Sequence, residues 1–398
     1  MAYESINSGV VSSSTMNAAN AVPDVEKILY LLKPYQTPLL QFLWFSGRKS
    51  KEVRSPFAKF SWFESELFPH QTTNKTTISA LGTPATITLN ASNCDSLSIF
   101  NLDDIVLIEE TDQMAFVSSK STNQAVLTHI DGSSNLSSLQ TEGMYLKIIG
   151  SRNSEYSGVR TAVSVKEVEK FNYLNIFSES VATTGRHQAG ENYTDGVDHP
   201  ALVAKKIEEM KLQAERYFLF APGQGYATAG NYRTTWGHGF LGRILSNVNS
   251  YSPALDEDTF DDHLREVFQK GSNRKIHMCG SGQLSEINKF IKSRYELNPN
   301  PTVSIYGVNV REYLTPFGSV DIIWNPVMDG KFTDYGFTID ADKVKLRFMA
   351  NDKKGSRKFR IEEGVETPGV DGTTTKILMD LGIEIHNEEC HGILRKAV

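Results

Sequence analysis

The text His277-Met278-Cys279-Gly280-Ser281-Gly282 is the stretch whose residue types and spacing could most readily do chemistry. A helix that starts behind a glycine turn presents unpaired backbone N–H groups, and those can hold a phosphate. A dinucleotide fingerprint needs a third glycine where Ser285 stands, and no Walker A lysine is present. A plain tight turn accounts for it better. Cys390 and His391 follow His386 closely and are metal-ligand types, but no second Cys/His pair at metal spacing lies near. The carboxylate pairs Asp103–Asp104 and Glu109–Glu110 fall in hairpin text, where neighbours point to opposite faces and do not converge. HExxH, CxxC and GxSxG are absent. The sequons Asn74-Lys75-Thr76 and Asn192-Tyr193-Thr194 lack the secretory signal that would give them meaning. No catalytic, cofactor-binding or metal-ligating residue is therefore expected, and no enzyme activity.

The whole chain narrows the classes further. Its 398 residues suggest two to three domains at ~150 residues each, and 39% hydrophobic residues suffice for sizeable cores. With 41 basic against 47 acidic residues the net charge is −6, which offers no surplus for binding phosphate backbones. Three cysteines exclude a disulfide scaffold. The apolar stretch Val25–Phe45 is interrupted by Glu26, Lys27, Pro34 and Pro38 and does not span a bilayer. A soluble, reduced, mixed α/β protein made inside the cell is expected, with no membrane contact.

Residues 1–24, rich in Ser, Asn and Ala, read as an extended arm. Asp24 can cap a short helix that Pro34 stops. Leu39, Leu40, Phe42, Leu43, Trp44 and Phe45 then crowd six large apolar residues into seven positions, to be covered by their own domain or by a neighbouring subunit. Arg48, Lys49, Lys51, Arg54 and Lys59 form one basic run, and Lys353, Lys354, Arg357, Lys358 and Arg360 a second. Both are expected to make inter-subunit ion pairs, with Glu64, Glu66, Glu362, Glu363 and Glu366 among the available acids. Ala58, Phe60 and Trp62 alternate as a strand. The threonine-rich residues 71–93 read as a flexible loop, and 97–165 as four or five short strands. A long strand, KFNYLNIFSESVATTG, follows.

The clearest helix begins behind Asp198 and Pro200. Val203, Ile207, Met210, Ala214 and Tyr217 form its core stripe, with Lys205, Glu208, Glu209, Lys211 and Glu215 on the other faces. Residues 221–255 hold six glycines and read as a long loop. Then come a helix over 258–270, a strand over 275–279, a helix over 283–295, and strands over 303–314, 320–324 and 344–348. Ile377 to Ile385 reads as a half-buried strand. No internal repeat is present.

Four stretches in this order carry a resemblance: KPYQTPLLQFL, FNYLNIFSESVATTG, TTWGHGFLGRI, and ILMDLGIEIHNEECHGILRKA with Asn387, His391 and Gly392 near its end. Together they make the chain similar to the major capsid proteins of tailed bacteriophages. The resemblance implies an α+β protein with the Hong Kong 97-like fold. It implies an N-terminal arm over 1–48, an extended E-loop over 49–190 with an inserted β-subdomain at about 97–165, and a spine helix of the peripheral domain within 191–222. It further implies an axial domain over 223–350 and a return to the peripheral domain over 351–398. It implies hexamers and pentamers of this chain in an icosahedral shell around double-stranded DNA, assembled in the bacterial cytoplasm. Portal, scaffold and decoration proteins are the implied partners, and the DNA is touched weakly and without specificity. No long helical scaffolding region opens the sequence, so a separate scaffold and no cleaved prodomain are expected. Two rivals stand beside this reading: a nucleotide-binding enzyme built on residues 275–295, and a tail or adhesin component suggested by 97–165.

Overall fold

The computed structural model describes residues 37–45, 50–153, 155, 158–190, 197–295, 303–305, 308–353 and 355–397. The helix expected behind Asp24, and Arg48, Lys49 and Lys354, lie outside these. The chain forms two compact units, one made of residues 1–61 with 171–398 and the other of 62–170.

The first unit holds two large sheets and one two-stranded hairpin. In one, the order is Lys51–Val53, Val344–Met349, Gly372–Ile385, Asn175–Thr184, and Arg360–Glu362 also pairs with Gly372–Ile385. Ten antiparallel pairs, from Asn175↔Leu381 to Thr184↔Gly372, fix the register of its long edge. The helix His199–Phe220 lies against this sheet. Met210 and Ala214 are buried, while Val203, Ile207 and Tyr217 are partly buried around them, so the expected stripe is the packed face. Phe218 and Leu219 extend it. Phe177 meets Tyr217 and Phe218 edge-on at 5.4 and 6.3 Å between ring centres. Asp198 sits at the N-cap, but its side chain makes no capping hydrogen bond.

The strand Gly372–Ile385 departs from the half-buried expectation. Ile377, Met379, Leu381, Ile383 and Ile385 join the helix core, and Asp380 and Glu384 on the other face are buried too. Polar partners make this possible: Arg357 Nε lies 3.2 Å from Asp380, and Arg347 and His386 both bond Glu384. A buried carboxylate left without such partners would cost several kcal/mol.

The other sheet of this unit runs Val248–Tyr251, Gly392–Lys396, Tyr335–Ile339, Arg274–Cys279, Gly318–Trp324, Val308–Thr315, Val303–Ile305. One of its two parallel pairs, Arg274–Cys279 with Gly318–Trp324, needs a crossover. The helix Ser281–Tyr295 lies on that connection. Two expectations change here. Residues 392–396, expected in the returning segment, belong to this sheet, and the supposed loop 221–255 carries a hairpin, Gly225–Ala229 with Tyr232–Trp236, and the strand Val248–Tyr251.

The second unit is a six-stranded sheet in the order Gln71–Thr73, Tyr145–Ser151, Asp104–Ile108, Gln113–Lys120, Gln124–His129, Ile87–Asn90. It thus spans 71–151 rather than 97–165. The threonine-rich segment supplies its two edge strands, and Ile78, Ile87 and Leu89 from that segment are buried in its core. β-branched threonine suits a pleated edge as well as a loop. Among the described residues no helix is long and apolar enough to cross a membrane.

Met210 is 1% exposed at the centre of the helix stripe. Met210→Asp buries an unpaired charge and is expected to destabilise the first unit by about 3 kcal/mol or more. Thermal unfolding and soluble yield measure this; a melting temperature equal to the parent's contradicts the packed role of the stripe.

Candidate functional site

The arm helix, Pro38–Phe45, has its N-terminus inside the first unit. A buried helix start leaves donors without partners. Pro38 removes one of them, having no N–H. Glu215, fully buried on the long helix, takes the next two: Leu39 N–H donates to Oε1 at 2.9 Å and Leu40 N–H to Oε2 at 2.7 Å. Asn325 Nδ2 donates to Oε1 at 2.8 Å. The charge sits at the positive end of the arm helix dipole, which favours it. Burial dominates all the same and pushes the Glu215 carboxyl up to about 7, against the three hydrogen bonds that pull it down.

Glu215 was expected on a face of its helix away from the core stripe, and the structure buries it. Helical spacing places Glu215 one residue beyond Ala214, at the border of the stripe. Nothing in the local sequence marks the partner helix that covers it.

Leu39 and Leu40 are 0% and 5% exposed, buried on the long helix of their own chain. Of the two covers open to them, the own-domain one is observed, and they offer no surface to a neighbouring subunit. Phe42 and Trp44 are partly buried against the same core. The Lys358 ammonium stands 4.1 Å over the Trp44 ring, which ties the second basic run to the arm helix.

The basic runs also find partners within the chain. Arg360 Nη1 bonds both oxygens of Asp352 at 2.7 and 2.9 Å, and its Nη2 lies 2.9 Å from Glu362. Arg357 bridges Asp380 and Asp352. Lys59 stands 4.2 Å over Phe171, and Arg54 lies 3.7 Å from Glu52. Lys353 is exposed. Arg357 and Arg360 were expected to pair across subunits; within the chain they pair locally, because Asp352 and Glu362 lie close in sequence and within ion-pair distance.

The glycine turn at Gly280 is filled. Ser281 N–H donates to Asp329 Oδ1 at 3.2 Å, Gly282 N–H to Thr333 Oγ1 at 3.1 Å, and Gln283 N–H to the Thr333 carbonyl at 3.1 Å. The amides that would hold a phosphate already have acceptors. His391 is likewise structural: its Nδ1 accepts from Asp340 N–H at 3.1 Å, so its Nε2–H donates to the His386 carbonyl. Burial pushes His391 down to about 4, and also His277 to about 4 and His263 to about 3. Among the described residues no group of three or more His, Cys, Asp or Glu could hold a metal ion.

The hairpin Gly225–Ala229/Tyr232–Trp236 is rooted at its base. Tyr217 Oη donates to the Gly237 carbonyl at 3.0 Å and accepts from Gly237 N–H at 2.6 Å. Asn172 accepts from His238 N–H at 2.8 Å and donates to the Ile383 carbonyl at 2.9 Å. A Cβ on Gly237 would lie 2.4 Å from the Tyr173 carbonyl, so only glycine lets the chain pass there.

Comparison with known proteins settles what these parts belong to. The family model described as SU10 major capsid protein matches residues 9–397. The chain belongs to this family. It is a major capsid protein, a shell-forming structural subunit of the virion capsid, and its α+β fold is the Hong Kong 97-like one. No curated protein matches it. Among solved structures it is similar to a chain of Mycobacterium phage Bobi, at 7% identity and TM-score 0.48, covering 98% of this chain and 99% of that one. It is also similar to the capsid of the Cyanophage P-SCSP1u, at 9% identity and TM-score 0.41, covering 62% and 80%. A third is the holo-SrpI encapsulin complex from Synechococcus elongatus PCC 7942, at 14%, 0.42, 58% and 77%.

In this capsid protein the Glu215 clamp gives a signed pH dependence. Its carboxyl binds a proton more tightly folded than unfolded, so its stabilising contribution is full below the unfolded value of 4.5 and is lost as pH rises through about 7. The three histidines act in the opposite sense, losing stability as pH falls below 6.5. Subtracting Glu215→Gln from the parent removes the shared histidine contribution. The stability advantage of the parent over Glu215→Gln is expected to shrink by about 3 kcal/mol between pH 4.5 and 7.5. Denaturant unfolding of both proteins across that range is the measurement; a constant difference excludes titration of the clamp.

Proposed function

We propose that this chain builds a closed icosahedral phage head from hexamers and pentamers of itself, in the cytoplasm of a bacterial host. The match of the capsid family model to residues 9–397 carries the reading. A scaffold protein directs assembly, a portal occupies one vertex, and decoration proteins attach outside. In the domain assignment that goes with this, residues 1–48 are the arm, 49–190 the extended loop with its β-insertion, 191–222 the spine helix, 223–350 the axial domain and 351–398 the peripheral return, apart from 392–396, which pair in the seven-stranded sheet.

The chain's charge of −6 supports weak contact with packaged DNA, since an acidic wall does not condense the genome upon itself. The role is structural and includes no catalytic step. Exposed apolar side chains such as Phe63, Leu67, Leu81 and Ile149 support burial of further surface on assembly.

Expression of the full chain, followed by negative-stain microscopy, is expected to give closed shells. Fibres or discrete trimers would favour the tail or adhesin reading and overturn this one. Deletion of residues 1–45 removes Leu39, Leu40 and Leu43 from the core and leaves Glu215 without its two amide donors. That deletion is expected to give no shells; normal shells from it would show that the arm is dispensable.

A further inference from the structure

The hairpin Gly225–Ala229/Tyr232–Trp236 is exposed along nearly all of its length. Two strands alone are marginal in water, so such a ribbon gains from a cover. Its centre is the Arg233 guanidinium, 3.8 Å over the Tyr226 ring, 5.0 Å from Phe57 and 6.0 Å from Tyr173. Phe57, Tyr226 and Tyr232 are 60%, 55% and 81% exposed. Every neighbour that orients this guanidinium is a ring, no described carboxylate pairs with it, and its buried Nε has no hydrogen-bond partner. Rings that hold a guanidinium in place lower the cost of ordering it when a carboxylate arrives.

The first unit also carries the opposite surface. Residues 361–371 contain Glu362, Glu363, Glu366 and Asp371 and no basic residue. Glu362 is held by Arg360 at 2.9 Å, and Glu366 accepts from Thr374 N–H at 3.1 Å. Glu363 is exposed and has no partner among the described residues. The same segment exposes Ile361, Val365 and Val370, at 40%, 46% and 61%. An acidic loop that also exposes aliphatic side chains is complementary in charge and polarity to a cation held among aromatic ones.

We propose that the Arg233 surface of one copy receives the 361–371 loop of a second copy, with Glu363 as the counter-charge. The two surfaces are unlike, so the contact is heterologous, and a rotation that closes it makes a ring. The inference rests on the self-association proposed above and names the surfaces that carry it.

The test uses two differently tagged full-length copies, co-expressed and recovered through one tag. Arg233→Glu and Glu363→Arg, each carried by both copies, are expected to lower recovery of the second copy by about tenfold or more. The double charge swap, with both substitutions in each copy, is expected to restore recovery to within about twofold of the parent. Melting temperatures are read for every variant. If a reversal lowers the melting temperature, Arg233→Ala and Glu363→Ala replace it, and their combined loss is expected to be smaller than the sum of the two. Undiminished recovery with both single reversals overturns the proposal, as does a swap no better than the singles, or additive losses from the alanine pair. Those results leave the capsid reading standing if the parent copies recover each other. Parent copies that do not recover each other overturn both.

Discussion

A carboxylate inside protein has to be satisfied on every side, and the first unit is organised around one that is. Glu215 binds two amides of the arm helix and the side chain of Asn325, so three segments far apart in sequence meet at a single group. Leu39 and Glu215 are 176 residues apart, and Asn325 lies a further 110 beyond Glu215. Remove the charge and the arm helix keeps its apolar face but starts with buried, unpaired donors. Remove the arm helix and the carboxyl loses both backbone donors together with the side chains that cover it. Each side makes the other costly to change, which gives the attachment a specificity that greasy contact alone does not provide.

The same logic recurs on the strand Gly372–Ile385. Its solvent-side positions carry Asp380 and Glu384, as the alternation of polar and apolar residues suggests. Yet both are covered, with Arg357 against Asp380 and Arg347 and His386 against Glu384. These partners come from segments on either side of the strand in sequence, including the basic run at 353–360. Through Arg357 that run braces the longest strand from within the chain.

How much of this could be read from residues alone follows from the range of the interactions. The stripe Val203, Ile207, Met210, Ala214, Tyr217 was legible because one helix repeats its own period. The Ser281–Tyr295 helix and the strand before it were legible from glycine punctuation and alternation. Glu215 was not, since its burial depends on Leu39 and Leu40 and no local rule connects them. The strands at 71–73 and 87–90 were hidden because threonine serves loops and edge strands alike. The hairpin at 225–236 was hidden by six glycines in its neighbourhood, which read as loop. At Gly237 the glycine answers to the Tyr173 carbonyl, a tertiary neighbour. The family resemblance was carried by the order of parts, which survives when individual contacts cannot be guessed.

The strand Gly392–Lys396 sits between Val248–Tyr251 and Tyr335–Ile339, an interior place in the seven-stranded sheet. Asn247 binds the His391 carbonyl across 144 residues of chain. On the ribosome, the segment that joins those two neighbours emerges after both of them, 144 residues behind Asn247 at His391. Until then Val248–Tyr251 has no ladder to enter, and the sheet stays open. A subunit truncated before residue 392 therefore keeps two unpaired strand edges, which sets it apart from a finished one. The position of one short strand thus makes closure of the seven-stranded sheet wait for a segment translated after both of its neighbours.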